Sequence, residues 1–133
     1  MKCYSSMTTA LSTLRVLVVD DEPLIRWSVA ETLGQAGHQV TEAGDAAGAI
    51  QTLSAGPAPD VVLLDFRLPD SNDLGLLTNV RRLAPAAAVV MMTALGVSEM
   101  IAGAEALGAS RVVSKPIDMR DLEGIVRAAA DSQ

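Results

Sequence analysis

The sequence predicts an α/β fold with one parallel sheet, wound on both faces by helices. Five short apolar runs alternate strictly with five helix-like segments along the chain. Three of the runs, 16–19, 61–64 and 89–92, are continuously apolar, as in parallel strands buried on both faces. Such βα alternation favours right-handed crossovers and a doubly wound sheet. The predicted strands span 15–19, 39–42, 61–64, 88–92 and 111–113.

The segments between the runs carry signals for the beginnings and ends of helices. Proline suits the first helical position, acidic residues suit the helix N-terminus, and glycine suits the position after the last turn. The helix boundaries are predicted at Pro23 and Gly37, at Asp45 and Gly56-Pro57, at about 73–84 before Pro85, at about 97–107, and from Asp118 onward. The inward-facing positions recur at helical spacing. They are Ile25, Val29, Leu33 and Ala36, then Ala46, Ile50 and Leu53, then Leu76, Leu77, Val80 and Leu83, then Val97, Met100, Ile101 and Ala104, and finally Leu122, Ile125, Val126 and Ala129.

Composition and charge exclude several classes of protein. The 133 residues are 50% hydrophobic and 20% charged, which is typical of one globular domain. A net charge of −6 argues against direct nucleic-acid binding by this segment, because such binding depends on clustered Lys and Arg. No apolar run approaches the ~20 residues that a membrane span requires, and residues 1–14 do not read as a signal peptide. The single cysteine, Cys3, excludes an internal disulfide, and a cytoplasmic location is expected.

Reactive polar residues follow four of the predicted strands. Asp20 and Asp21 follow the first, Asp65 the third, Thr93 the fourth, and Lys115 lies just past the fifth. The carboxyl ends of parallel strands meet at one edge of the sheet, where ligands bind in folds of this class. Each residue alone is explained as a helix cap, a turn residue or a solvated charge. Their convergence on one edge has no such explanation and indicates a site.

The chemistry of that edge favours a divalent cation. Carboxylates brought close together repel one another and resist joint ionisation. A cation removes this repulsion, and a set of oxygen ligands suits Mg²⁺ rather than Zn²⁺. One carboxylate is then able to attack phosphorus, while Lys115 balances the phosphoryl charge and Thr93 donates a hydrogen bond to it.

Several stretches, in order and at matching spacing, resemble the receiver domains of response regulators. They are residues 16–23 (VLVVDDEP), 63–69 (LLDFRLP) and 92–94 (MTA), then Gly108-Ala109 and Lys115-Pro116. The resemblance implies a flavodoxin-like strand order 2-1-3-4-5 and a receiver domain over 14–130, with an N-terminal tail at 1–13 and a C-terminal end at 131–133. Residues 25–27 (IRW) and 92–94 also resemble receivers of nitrogen-regulation-type transcriptional activators.

The resemblance implies a role for each matching residue. Asp65 is the implied phosphoacceptor. The implied Mg²⁺ ligands are Asp21, Asp65 and the backbone carbonyl of Arg67, with Asp20 acting mainly through water. The implied phosphate-binding and switch residues are Thr93, Ala94 and Lys115, and the Lys115–Pro116 bond is expected to be cis.

The implied partners follow from this switch. A sensor histidine kinase or a phosphotransfer protein is the donor, and an attached output domain or a separate output protein reads the change. Transcriptional regulation is the expected role. Dimerisation on phosphorylation is one way in which the domain would pass the change to its output. The domain is expected to catalyse only its own phosphorylation and dephosphorylation.

The chain departs from the family pattern at two places. Three residues before Lys115 the family usually has an aromatic side chain that turns inward on activation, whereas this chain has Val112, which has no ring and is stiff at χ1. Asn72-Asp73 stands where the family commonly has Asp-Gly, so Asp73 is predicted to cap the third helix. The extra acids Asp70 and Asp73 are expected to alter either the electric field near the site or the choice of kinase, and the sequence does not decide between the two.

The fourth helix-like segment is predicted to be only marginally stable as a helix. Gly103 lowers its stability by ~1 kcal/mol relative to Ala, and its apolar face is rich in small residues. We therefore hypothesise that this helix shifts on phosphorylation and that the surface beside the fifth strand is an interaction face.

Two alternatives remain at the level of sequence. A phosphohydrolase of the haloacid-dehalogenase type also uses a strand-end Asp, but it needs a second acid two residues later, where this chain has Arg67. A phosphorylation-independent interaction module is favoured by Val112 and opposed by the complete acidic set. Dinucleotide binding is excluded because a Gly-x-Gly-x-x-Gly turn does not follow the first strand.

Four residues outside the candidate site receive structural interpretations. His38 is placed in a loop and is not expected to carry phosphate. Trp27 is predicted to be half-buried on the first helix. Arg81 and Arg82 are predicted to lie on a solvated helix face.

Overall fold

In the computed structural model, residues 13–71, 74–94 and 98–131 are described, and they form five strands and five helices in strict alternation. The strands are β1 (Arg15–Val19), β2 (Gln39–Ala43), β3 (Val61–Asp65), β4 (Ala88–Thr93) and β5 (Arg111–Ser114). The helices are α1 (Pro23–Gln35), α2 (Ala46–Ala55), α3 (Gly75–Leu83), α4 (Ser98–Ala106) and α5 (Met119–Asp131). The predicted α/β class is therefore confirmed.

All strand pairs are parallel, and the order across the sheet is β2-β1-β3-β4-β5, as predicted. The strand order reverses between β1 and β3, and this is where such sheets bind ligands beyond their carboxyl ends. Four strands end one residue later than predicted. Asp65 and Thr93 are consequently the last residues of their strands, paired with Met92 and Ser114. The sheet therefore fixes the main chain of both residues.

Two aliphatic clusters hold the helices against the sheet. On one face, Leu17, Leu64 and Met91 pack with residues of α2, α3 and α4. On the other face, Leu63 and Met92 pack with residues of α1 and α5. β3 and β4 are buried along their whole length, which explains their continuous apolar sequences. Full burial of a Leu or Met side chain is worth about 1.5–3 kcal/mol.

The helix boundaries agree with most of the signals in the sequence. Pro23 is the first residue of α1, and the Asp45 side chain accepts a hydrogen bond of 2.7 Å from the Gly48 N–H at the start of α2. The Asp118 carboxylate accepts a bond of 2.9 Å from the Arg120 N–H before α5. Ala36 is exposed at the end of α1, so its predicted place in the core is wrong.

The third helix begins later than predicted. Its first residue is Gly75, and Leu74 occupies the capping position with no side-chain hydrogen bond. The proposed cap, Asp73, lies outside the described residues, as does Val97 before α4.

Two predictions about side chains away from the candidate site need correction. Trp27 is exposed, with 58% of its surface accessible, because it lies off the buried stripe of α1. Arg81 is not a freely solvated charge, since its guanidinium donates to the backbone carbonyls of Ala87 and Pro85. His38 lies in a loop, as predicted; it is buried there, and its Nδ1 accepts a hydrogen bond of 3.0 Å from the Leu14 N–H. No helix among the described residues is both long enough and apolar enough to span a membrane.

Candidate functional site

The loops after β1, β3, β4 and β5 converge at one edge of the sheet. Val19 pairs with Leu64, so Asp20, directly after β1, lies beside Asp65, the last residue of β3. The Phe66 N–H donates to the Met92 carbonyl at 2.9 Å and extends the ladder between β3 and β4 beyond Asp65. The register of the sheet therefore places the predicted acidic residues together.

Three carboxylates form a compact cluster at this edge. One oxygen from each of Asp20, Asp21 and Asp65 lies within 4.8 Å of the others. Asp20 is fully buried and Asp65 is 7% exposed, whereas Asp21 faces solvent. The cluster thus has a buried side and an open side through which a ligand can enter.

Lys115 provides the positive charge of the cluster. Its Nζ lies 2.8 Å from Asp20 Oδ2 and 3.1 Å from Asp65 Oδ2. The Lys115 N–H donates to the Thr93 carbonyl at 2.8 Å, which fixes the start of the loop after β5 against β4. The Lys115–Pro116 peptide bond is cis, as expected. The hydrogen bond to Thr93 constrains the backbone from which the lysine reaches the carboxylates.

The donor set fits a divalent cation of the Mg²⁺ type. All three side chains offer carboxylate oxygens, and Mg²⁺ prefers oxygen ligands. Asp20 Oδ2 is buried and meets no donor in hydrogen-bonding geometry among the described residues, although Lys115 Nζ lies 2.8 Å from it. A buried anionic oxygen without a hydrogen-bond donor needs positive charge nearby. Lys115 supplies part of that positive charge. The exposed position of Asp21 leaves room for a metal ion beside the Asp21 carboxylate.

The electrostatics of the cluster shift two pKa values. Burial raises the pKa of Asp65, and the nearby charge of Asp20 raises it further, against the opposing effects of Lys115 and the Arg67 N–H. Burial lowers the pKa of Lys115, but the close carboxylates of Asp20 and Asp65 outweigh this effect and raise it above its ordinary value. Lys115 is therefore a firmly held cation, and Asp65 is a carboxylate whose charge is costly without further positive charge.

A cleft of about 280 Å³ opens above the cluster. It is lined by Asp21, Glu22, Asp65, Arg67, Thr93, Ala94 and Lys115. Every predicted site residue lines this cleft except Val112 and Asp20, and Asp20 is buried but belongs to the carboxylate cluster. The Arg67 N–H donates to Asp65 Oδ1 at 3.3 Å, which holds this carboxylate against the start of the β3–α3 loop.

Val112 lies apart from the cleft. It pairs with Met91 in the sheet and packs, partly buried, against the cluster that includes Ala104 of α4. Its side chain thus faces the helix that was predicted to be marginal.

Two contacts near the site were not predicted. Arg26 of α1 donates to the Asp20 carbonyl at 2.6 Å. In the sequence, only the spacing between Arg26 and Asp20 could have indicated this contact. Asp70 accepts hydrogen bonds from the N–H groups of Ala46 and Ala47, at 2.8 and 3.0 Å. These bonds hold the pKa of Asp70 below its ordinary value. Asp70 therefore has a structural role as a cap of α2. Its predicted effect on the electric field near the site, or on the choice of kinase, stays a prediction.

Comparison with known proteins agrees with this geometry. Residues 16–127 match the response regulator receiver domain family, and the chain belongs to that family.

The relatives include transcriptional regulators of more than one kind. The chain is 39% identical over 114 residues to the probable transcriptional regulatory protein TcrX of Mycobacterium tuberculosis, covering 85% of this chain and 48% of the relative. It is 28% identical over 122 residues to the DNA-binding transcriptional regulator NtrC of Azospirillum brasilense, covering 92% of this chain and 25% of the relative. The chain thus spans between a quarter and a half of these regulators. The narrower likeness to nitrogen-regulation-type receivers stays a prediction.

Among solved structures, a CheY-like response regulator receiver domain protein from Methanospirillum hungatei superposes with a TM-score of 0.85 at 27% identity. The match covers 91% of this chain and 96% of that one. The fold is thus that of a complete receiver domain, and receiver domains bind Mg²⁺ in an acidic pocket of this kind.

Proposed function

We propose that this chain accepts a phosphoryl group on Asp65 and acts as a conformational switch in two-component signalling. The observation that carries the proposal is the cluster at the sheet edge. Three aspartates lie within 4.8 Å of one another, and Lys115 contacts two of them at 2.8 and 3.1 Å. The proposed receiver unit is 14–130.

The resemblance to receiver domains assigns the acidic residues their proposed roles. Asp21, Asp65 and the backbone carbonyl of Arg67 would hold Mg²⁺ directly, and Asp20 would act mainly through water. The metal supplies charge neutralisation between the carboxylate and the incoming phosphoryl group. Asp65 suits the nucleophile because it ends a buried strand and its oxygens border the cleft.

The transfer itself is a displacement at phosphorus. A carboxylate oxygen of Asp65 forms a bond to the phosphorus atom while the bond from phosphorus to the donor imidazole nitrogen breaks. The electron pair of the broken bond stays on the imidazole. Lys115 pairs with the new negative charge, and Thr93 and the Ala94 backbone bind the phosphoryl oxygens. Hydrolysis of the resulting acyl phosphate resets the switch.

The donor in this proposal is a sensor histidine kinase or a phosphotransfer protein. An output domain or partner protein reads the two conformations, and transcriptional regulation is the role suggested by the names of the relatives.

Acetyl phosphate with Mg²⁺ tests the proposal without a known kinase. Intact mass should show one phosphoryl adduct on the wild-type chain and none on Asp65→Asn. Asp121→Asn, which changes an exposed acid on α5, should retain the adduct. A wild-type chain that stays unmodified would leave a phosphorylation-independent interaction module, and release of phosphate from many small esters would indicate a phosphohydrolase.

A further inference from the structure

Arg26 connects α1 to the acidic edge of the sheet. Its Nη1 donates to the backbone carbonyl of Asp20 at 2.6 Å, and its Nε donates to Glu42 Oε1 of β2 at 3.2 Å. The Arg26 side chain is only 22% exposed, so the guanidinium is held in place instead of sampling solvent. One side chain therefore joins the loop after β1 to the neighbouring strand.

Gly44 leaves the space that this guanidinium occupies. A Cβ atom at Gly44 would lie 3.2 Å from Arg26 Nη1 and 3.8 Å from its Cζ. Contacts below 3.4 Å are tighter than nearly all real Cβ contacts, so an alanine would displace the guanidinium by a few tenths of an ångström. Gly44 does not have a positive φ, so alanine fits its backbone conformation.

Asp20 is constrained at its other polar atoms as well. Its N–H donates to the Ala43 carbonyl at 3.1 Å, and its Oδ1 accepts from the Glu22 N–H at 2.9 Å. The carbonyl of Asp20 is the group that Arg26 fixes. Because Asp21 follows this carbonyl directly, the bond also determines where the Asp21 side chain leaves the loop.

We propose that Arg26 is a positioning residue for the metal-binding carboxylates Asp20 and Asp21. The inference rests on the proposed function, since it concerns the same acidic site. Contacts behind direct ligands typically change metal affinity by roughly 10–100-fold. Loss of the Arg26 bond lets the loop after β1 relax and weakens the cation site.

The sign of the effect separates positioning from simple charge. Arg26 is a cation beside a cation site, so its electrostatic repulsion alone opposes Mg²⁺ binding. Removing that charge would tighten binding if charge were the whole effect. Positioning predicts the opposite result.

Isothermal titration of the full chain with Mg²⁺ alone provides the test. Arg26→Met keeps the apolar stem and should raise the Mg²⁺ Kd roughly tenfold. Arg26→Lys retains one donor and should recover part of the loss. Gly44→Ala changes no charge and should raise the Kd by a smaller amount. Arg82→Met, an exposed arginine on α3, should match the wild type.

Each outcome bears on a separate claim. If the wild type binds no Mg²⁺, the proposed function fails before Arg26 is considered. If the wild type binds and folded Arg26→Met binds equally or more tightly, the positioning role is overturned while the proposed function stands. Should Arg26→Met not fold, Gly44→Ala and Arg26→Lys decide the question by the same criterion.

Discussion

At the scale of single residues, Lys115 determines whether two buried carboxylates are tolerated next to each other. Its ammonium lies within 3.1 Å of Asp65 and 2.8 Å of Asp20, and its side chain is only 12% exposed. Without it, two like charges would face each other in a poorly solvated environment. Lys115 therefore stabilises the fold in addition to its proposed contact with the phosphoryl group.

Lys115→Met should lower the stability of the metal-free protein by about 2–3 kcal/mol. This is below the 3–5 kcal/mol typical of a fully buried pair, because Lys115 and Asp65 are 12% and 7% exposed at the cleft. Mg²⁺ should restore more stability to this variant than to the wild type, since a cation replaces the missing charge. Thermal melts with and without Mg²⁺ measure both effects.

The matched control is Arg82→Met, which removes an exposed positive charge on α3. Its melting temperature should stay close to that of the wild type, with an unchanged response to Mg²⁺. A Lys115→Met variant as stable as this control would show that the carboxylates do not depend on the lysine.

At the scale of secondary-structure elements, the start of α2 is held by two carboxylates from different parts of the chain. Asp45 caps its own helix through the Gly48 N–H, and Asp70 reaches across from the β3–α3 loop to Ala46 and Ala47. Most of the free N–H groups of the first turn are thereby satisfied, and both acids lie at the positive end of the helix dipole.

The Asp70 contact should make stability depend on pH in a defined direction. Its pKa is lowered in the folded state, so its contribution is present above the unfolded pKa of 3.8 and is lost as the pH falls through the lower folded pKa. Asp70→Ala should melt below the wild type at neutral pH, and the gap should narrow once the pH falls below about 4. Melting curves across that range measure the gap, and a gap independent of pH would exclude a role for the ionised carboxylate.

Gly108 joins α4 to β5 at a place where a side chain does not fit. Its φ is +103°, and a Cβ there would lie 2.8 Å from Arg81 Nε, whose guanidinium is held by the carbonyls of Pro85 and Ala87. Gly108→Ala should therefore destabilise the protein by at least about 1 kcal/mol. Gly124→Ala, within α5 and with open space around it, should instead stabilise by roughly 0.5–1 kcal/mol.

Denaturant melts of these two variants compare the same chemical change in opposite environments. Equal shifts for both would mean that neither the backbone conformation of Gly108 nor the Arg81 contact constrains the α4–β5 junction.

At the scale of the whole molecule, the sequence was sufficient to predict the sheet and the residues that lie at its edge. Continuously apolar runs predicted β3 and β4, and the positions of Asp65 and Thr93 directly after those runs predicted which side chains converge. These features are local in sequence, and the parallel sheet converts them into proximity.

The contacts that escaped prediction join residues distant in sequence through tertiary packing. Asp70 lies 24 residues from the helix that it caps, and the His38 ring meets Glu123 of α5, 85 residues away, at 2.5 Å. Single acids and a single histidine carry no periodicity, so their sequence neighbourhoods do not identify their partners. The burial of His38 and the exposure of Trp27 follow from how α1 and α5 sit on the sheet, which patterning alone does not determine.

The proposed signal must leave the cleft by a route that does not depend on an aromatic ring at position 112. Val112 packs toward α4, and the Lys115 N–H to Thr93 carbonyl bond joins β5 to the switch residue of β4. Among the described side chains of α4, Ala104 is fully buried and Met100 packs partly buried against the core, whereas Gly103 adds no side chain and Leu107, just beyond the helix, is 43% exposed. A helix that buries little apolar surface has a low free energy of local unfolding. A modest change at Thr93 is then enough to shift the conformation of α4.

Hydrogen exchange with beryllofluoride and Mg²⁺, which together mimic the aspartyl phosphate, tests this hypothesis. The amides of 98–107 and of β5 should change their exchange rates on addition of the mimic. Those of α2, held by two carboxylates, should not change. The same experiment on Asp65→Asn should show no response anywhere, because the mimic then lacks its carboxylate. Unchanged exchange in α4 of the wild type, with mimic binding shown by titration, would mean that the surface beside β5 does not carry the signal.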